Sequence, residues 1–234
     1  MEQYQTCYIA FLDILGFKNL INDTSLSCQE ILDIYKCFDN AIPKLEIGDE
    51  INRHVVEELK HINIKIMSDS ICVYIKSDTK NALLCLAAVC FNIQAQLLSL
   101  PRPILIRGAI VLGDIYANED RTFGPALTKA YLMEENNAKY PRIIITKETL
   151  DKGAKQVEKE AVEDLYDSVF YADEDHFYCV NFFATIDREA LRKFESHVAN
   201  ILDSTTDDSI RKKYLYLEHM IKRKLVVLEG ENNA

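Results

Sequence analysis

Tryptophan is absent, and glycine and proline are scarce, at 7 and 5 of 234 residues. So few flexible or chain-breaking positions exclude collagen-like, linker-rich and disordered chains. Positive charge is in deficit too: 27 Lys and Arg stand against 37 Asp and Glu, a net charge of −10. Phosphate backbones need a basic surface, so general nucleic-acid binding is not expected, although a small cationic pocket for one triphosphate is still allowed. No stretch reaches the ~20 uninterrupted apolar residues of a membrane span. The longest, Ala82 to Leu100, is interrupted by Asn92, Gln94 and Gln96 and reads as a buried helix. The N-terminus has no basic start and carries Asp13 inside its apolar run, so it does not read as a signal peptide. The seven cysteines are odd in number, mostly flanked by apolar residues, and never spaced C-x-x-C. They are expected to be reduced core thiols of a cytoplasmic protein, not zinc ligands.

What is present is a 48% hydrophobic chain with ample material for a core. Tyr8 to Leu12 is a β-rich run ended by Asp13 and Gly16. A helix follows from about Ser27 to Leu45, where Ser27 and Glu30 have the form of a capping box. Helical character resumes across Asn52 to Leu59. His61 to Met67 and Ile71 to Lys76 make a hairpin with Asp69 at its tip. A helix from Lys80 to Ser99 ends at Pro101 and Pro103. Ile104 to Leu112 is a strand, broken by Gly113-Asp114. Gly124-Pro125 opens a helix to about Asn137, and Arg142 to Thr146 is a strand. Short strands fit Asp167 to Ala172 and His176 to Phe183, and two helices, Arg188 to Leu202 and Asp208 to about Leu228, close the chain. The order β-α-β-β-α-β-(α)-β predicts an α+β, ferredoxin-like fold built on a split βαβ sheet. Residues 1–183 are expected to form the catalytic domain, with 184–234 a helical extension packed on it.

Three segments interrupt buried elements with polar residues. In Phe11-Leu12-Asp13-Ile14-Leu15-Gly16-Phe17 a carboxylate ends a buried strand and needs a partner, for which a metal ion is well suited. Lys65-Ile66-Met67-Ser68-Asp69-Ser70 is the hairpin tip. On a ferredoxin-like sheet the first strand and this hairpin are neighbours, so Asp13 and Asp69 can approach and, with a backbone carbonyl, offer oxygen ligands to Mg²⁺ or Mn²⁺. Arg107, isolated in an apolar strand, either pairs with a core carboxylate or faces a ligand. Gly124-Pro125 leaves free N–H groups at a helix start, a seat for phosphate. The histidines show no metal-ligand spacing, no Walker-type G-x-x-x-x-G-K occurs, and Arg211-Lys212-Lys213 reads as a solvated helical face.

Together these segments resemble the class III nucleotide cyclase catalytic domain over roughly Tyr8 to Thr146. Phe11, Asp13, Gly16 and Phe17 match its first motif; Lys65 and Asp69-Ser70 match K-x-x-G-D-S, with Ser68 in place of glycine. Arg107-Gly108-Ala109 with Gly113 is close to R-x-G-x-x-x-G, and Gly124, Leu127, Ala130, Glu134, Ala138 and Ile143 fall in step with the helix motif. Thr128 and Leu132 stand where the family has its ribose-binding Asn and transition-state Arg. The wording Phe-Leu-Asp-Ile-Leu-Gly-Phe, Ser-Asp-Ser and Phe-Gly-Pro-Ala-Leu-x-x-Ala-Tyr-x-x-Glu is similar to the stand-alone pyrimidine cyclases of Pycsar antiphage systems.

That resemblance implies a cytoplasmic homodimer that uses Mn²⁺ or Mg²⁺ to convert UTP or CTP to a cyclic monophosphate, which signals to a separate effector protein. It implies two metal ions on Asp13, Asp69 and the Ile14 carbonyl, with Lys65 and Arg121 reading the base and Thr128 standing at the ribose position. With Leu132 unable to act, the candidate cations for the transition state are Arg107, Arg121 and Lys129, Arg121 first. Two other readings stay open. One is a catalytically silent nucleotide-binding dimer, which Thr128 and Leu132 favour. The other is a nucleotidyl transferase related to polymerase palms, against which the acidic composition counts.

Overall fold

The alternation of apolar residues in the first strand sets two faces from which the rest of the fold follows. In β1 (Gln5–Ile14), Tyr8, Ala10, Leu12 and Ile14 enter one hydrophobic cluster, while Cys7, Ile9 and Phe11 enter another. The computed structural model describes residues 3–42, 57–156, 168–183, 186 and 188–231. Its elements continue with α1 (Phe17–Ile21), α2 (Cys28–Asp39), β2 (Asn63–Met67), β3 (Ser70–Lys76), α3 (Ala82–Leu98), β4 (Ile106–Ala117) and β5 (Thr122–Phe123). Then come α4 (Pro125–Asn137), β6 (Ile143–Ile145), α5 (Lys147–Ala154), β7 (Phe170–Ala172), β8 (Tyr178–Val180), α6 (Arg188–Ser204) and α7 (Asp208–Glu231).

The sheet runs β2-β3-β1-β4-β6-β8-β7, with β5 paired to β4 off that path. Its first four strands are antiparallel throughout, the split βαβ order expected of the sequence. α2 and α3 cover one face with the larger cluster; α4 covers part of the other through Ala126 and Ala130. A further cluster joins Leu105, Phe182 and Phe183 to Leu191, Phe194, Val198 and Leu202 of α6 and to Leu217, Met220, Ile221 and Leu225 of α7. No helix among the described residues is long and apolar enough to cross a membrane.

The capping box forms in both directions: Glu30 N–H donates to Ser27 Oγ at 3.2 Å and Ser27 N–H to Glu30 Oε2 at 2.8 Å. The helix it starts ends at Asp39, short of the expected Leu45, and the expected helix from Asn52 lies mostly outside the described residues. The strand break expected at Gly113-Asp114 does not occur. β4 continues to Ala117 because Gly113 and Asp114 pair with Cys7 and Thr6, and Thr6 Oγ1 donates to the Asp114 carboxylate at 2.6 Å. α5, capped by Thr146, and the two-residue β5 were not anticipated.

Six of the seven cysteines are buried, as expected of core thiols, while Cys28 is exposed. Burial pushes the Cys72 and Cys90 thiols up to about 12, so both are protonated packing groups.

Candidate active site

Asp13 ends β1 between two strands. Its register partners are Ser70 on β3 and Arg107 on β4. The hairpin tip is drawn onto this end of β1 by a backbone bond, Ile14 N–H to Asp69 O at 3.0 Å. A second anchor comes from α2, where the Tyr35 hydroxyl donates to Ser68 O at 3.1 Å. Ser68 has φ 59°, the left-handed conformation for which the resembling family keeps a glycine. Asp13 and Asp69 are thus brought together, as the sequence reading expected.

Arg107 resolves toward the carboxylate alternative. Its Nε–H donates to Asp13 Oδ2 at 3.1 Å, and Glu134 Oε1 of α4 lies 2.6 Å from the same nitrogen. Glu134 Oε1 has no aligned hydrogen bond, because the Nε–H points to Asp13, so that contact is ionic only. Glu134 is the most enclosed of the three, at 3% side-chain exposure against 21% for Asp13 and 24% for Arg107. Burial lifts the Glu134 carboxyl to about 7, with Arg107 opposing the rise and Asp13 adding to it. Burial also raises Asp13; Arg107 counters that shift, the charge of Asp69 reinforces it, and Lys213 of α7 opposes it.

Glu134 and Lys213 were not on the expected site. Both were readable: Ala126, Ala130 and Glu134 recur every four residues along the buried stripe of α4, and Lys213 precedes the buried Leu217 by four on α7. A charge on a buried stripe marks an inward-facing position, whatever its neighbours suggest. The expectation of a solvated face therefore fails for Lys213, which is half-buried, while Arg211 and Lys212 are exposed.

The remaining predicted residues group elsewhere. Lys65 Nζ donates to the carbonyl of Glu119 at 2.7 Å, in the β4–β5 loop that also carries Arg121. That loop is held by Asn118, whose side chain accepts from Arg121 N–H at 2.8 Å. Lys65 and the Arg121 loop therefore meet. Thr128 is exposed and bonds back to Gly124 O at 3.4 Å. Leu132 is 46% exposed. Among the described residues no hydrogen bond or ion pair joins Lys65, Arg121 or Thr128 to the Asp13–Asp69 group. Gly124 explains part of the separation: a Cβ there would meet Asp114 O at 2.7 Å, so α4 begins against β4 seven register positions from Arg107. That is roughly 24 Å along a strand.

Among the described residues no group of three or more His, Cys, Asp or Glu is placed to hold a metal. Two half-buried, mutually repelling carboxylates beside backbone carbonyls nevertheless fit a hard divalent cation that completes its shell with water and phosphate oxygens.

No family model and no curated protein sequence matches the chain. Solved structures do resemble it. One is the catalytic core of a rhodopsin-guanylyl cyclase with converted specificity in complex with ATPαS, at TM-score 0.50 and 13% identity, covering 76% of this chain and 96% of that one. An adenylyl cyclase from P. aeruginosa aligns at TM-score 0.45 and 17% identity, covering 80% of this chain and 98% of that one. An adenylate/guanylate cyclase/hydrolase from Silicibacter pomeroyi aligns at 0.44 and 17%, covering 77% and 96%. The first likeness shows the fold, and the fold is that of a class III nucleotide cyclase domain.

Proposed function

We propose that the chain is a pyrimidine nucleotide cyclase, a homodimer converting UTP, and less readily CTP, to the 3′,5′-cyclic monophosphate and pyrophosphate. In this reading it is a second-messenger synthase of bacterial antiphage defence, and a separate effector protein answers the cyclic nucleotide. The observation that carries the catalytic part is the placement of Asp13, at the end of β1, beside Asp69, in the turn between β2 and β3, at one end of a cyclase-fold sheet.

Asp13, Asp69 and the Ile14 carbonyl would hold two Mn²⁺ or Mg²⁺ ions. When bound, these supply activation of the ribose 3′-hydroxyl and charge neutralisation on the triphosphate. Arg107 fixes the orientation of Asp13 through Oδ2, and the other carboxylate oxygen would serve a metal ion. The 3′-hydroxyl would attack the α-phosphorus in line, losing its proton to water, while the bond from the α-phosphorus to the bridging oxygen breaks and pyrophosphate leaves. Lys65 and the Arg121 loop, gathered at one place, act as donors to the base. Donor-only groups suit the carbonyl oxygens of uracil better than the exocyclic amine of cytosine. Because no hydrogen bond or ion pair among the described residues ties these groups and Thr128 to the carboxylates of their own chain, they would complete the site of a partner copy.

Incubation with each of the four nucleoside triphosphates and Mn²⁺, with mass-spectrometric separation of products, tests this reading. Cyclic UMP as the main product supports it. Binding without any cyclic product would instead favour a silent nucleotide-binding dimer, the reading to which exposed Leu132 and the self-bonded Thr128 point.

A further inference from the structure

With Arg107 committed to Asp13 and Glu134, the metal end of the sheet still needs a cation for the leaving phosphates. α7 carries one. Its buried stripe comprises Leu217, Met220, Ile221 and Leu225, and Lys213 sits one turn before Leu217 on the same stripe. It lines a cleft of about 360 Å³ together with Leu15, Gly16, Asn19, Arg102 and Tyr214. Leu15 and Gly16 directly follow Asp13 and Ile14, so the cleft lies just beyond the end of β1, next to the carboxylates in the chain though not lined by them.

The other charges of this cleft are engaged. Arg102 pairs with Asp23 at 2.8 Å, and Asp207 accepts from the N–H groups of Ser209 and Ile210 at 2.8 and 3.0 Å, capping α7. Lys213 is half-buried and has no ion-pair or hydrogen-bond partner among the described residues. Its ammonium nonetheless lies close enough to Asp13 for the two charges to interact.

We propose that Lys213 binds the β- and γ-phosphates of the nucleoside triphosphate, in the same chain that supplies Asp13 and Asp69, and so provides the positive charge that Leu132 cannot. An ammonium on a flexible stem is a point charge with three donors, suited to polyphosphate oxygens whose charge grows as pyrophosphate departs. The assignment rests on the cyclase reading for its substrate but not for its chemistry, which is that of any polyphosphate.

The test pairs turnover with binding of inorganic tripolyphosphate, measured by calorimetry in Mg²⁺ buffer. Lys213→Ala is expected to lower kcat/KM about 100-fold and tripolyphosphate affinity about tenfold. Lys213→Arg should restore most of both, and the exposed neighbour Lys212→Ala should change neither. Circular dichroism melting confirms that each variant is folded. Full activity and full tripolyphosphate affinity in Lys213→Ala overturns the assignment and leaves the cyclase reading standing. An equal loss in Lys212→Ala also overturns it, as a general surface-charge effect. A wild-type protein that makes no cyclic product, yet binds tripolyphosphate through Lys213, supports the phosphate seat and overturns the cyclase reading.

Discussion

Arg107 is the register partner of Asp13 across β1 and β4, and its Nε–H donates to that carboxylate at 3.1 Å while Glu134 Oε1 stands 2.6 Å away. One guanidinium therefore ties the end of the central strand to α4. A lysine cannot reproduce this, since it has no Nε–H at that point of the side chain and carries its charge at the end of a flexible stem. Arg107→Lys is expected to lower kcat about tenfold or more while changing the KM for nucleotide much less. Arg107→Ala, which leaves the buried Glu134 without its cation, should cost about 3 kcal/mol by urea denaturation. A variant with unaltered kcat would remove Arg107 from the positioning role.

Asp13→Ala and Asp69→Ala should each abolish turnover with Mn²⁺ present, by at least about 1,000-fold. Their folds should persist. Removing one of two repelling carboxylates relieves Coulombic strain, and Arg107 keeps Glu134 as its partner. Turnover equal to wild type in either variant would sink the metal assignment, and loss of the melting transition would sink the claim that these residues are functional and not structural.

Glu134 gives a pH signature. Its carboxyl sits at about 7 in the fold against an ordinary 4.5, so between those values the native state holds a proton that the unfolded chain has released. Stability therefore falls as pH rises from 4.5 towards 7 and levels off above. Glu134→Gln, measured metal-free by denaturant melts, should lack that fall. After allowance for its lost contact with Arg107, the variant should exceed wild type by about 1–2 kcal/mol at pH 8. Parallel profiles for the two proteins would show that Glu134 is not the group responsible.

The sheet was legible because its alternation and its turns agree. Tyr8 to Leu12, the hairpin around Asp69 and the Pro125 helix start each carry a local signal strong enough to outweigh alternatives. Gly113-Asp114 misled because a turn-forming pair was weighed without its partners; Thr6 across the strand satisfies Asp114, and Ala126 of α4 fills the space that Gly113 leaves open. Within the site, the meeting of Asp13 and Asp69 followed from strand order alone. The helical stripes mark Glu134 and Lys213 as inward-facing, but which groups they meet depends on how α4 and α7 seat against the sheet, a tertiary fact that no local pattern encodes.

Gly108 marks where the sheet tolerates no added atom. A Cβ there would lie 2.6 Å from the Phe11 carbonyl oxygen and 2.5 Å from Leu12 Cδ2. The side chain could move aside but the backbone oxygen, held in the ladder, could not. Gly108→Ala should destabilise the protein by about 3 kcal/mol in urea, and activity should fall with the folded fraction. A fully stable variant would mean that β1 and β4 can separate locally at no cost.

That no hydrogen bond or ion pair among the described residues joins Lys65 or Arg121 to the carboxylates of their own chain leads to the last prediction. If the two groups serve the site of a partner copy, two defective proteins can repair each other. Asp69→Ala lacks the metal carboxylate, and the double variant Lys65→Ala/Arg121→Ala lacks the base donors; each homodimer should be inactive on UTP. Mixed in equal amounts and allowed to exchange subunits, half of the dimers become heterodimers in which one of two sites is whole. Activity should then return to about a quarter of wild type, as a two-fold symmetric dimer with two shared sites requires. Affinity tags on the two variants verify exchange, and light scattering verifies the dimer. Exchange without recovery would place Lys65 and Arg121 in the site of their own chain, or outside it altogether, and base choice would then have to reside in other residues.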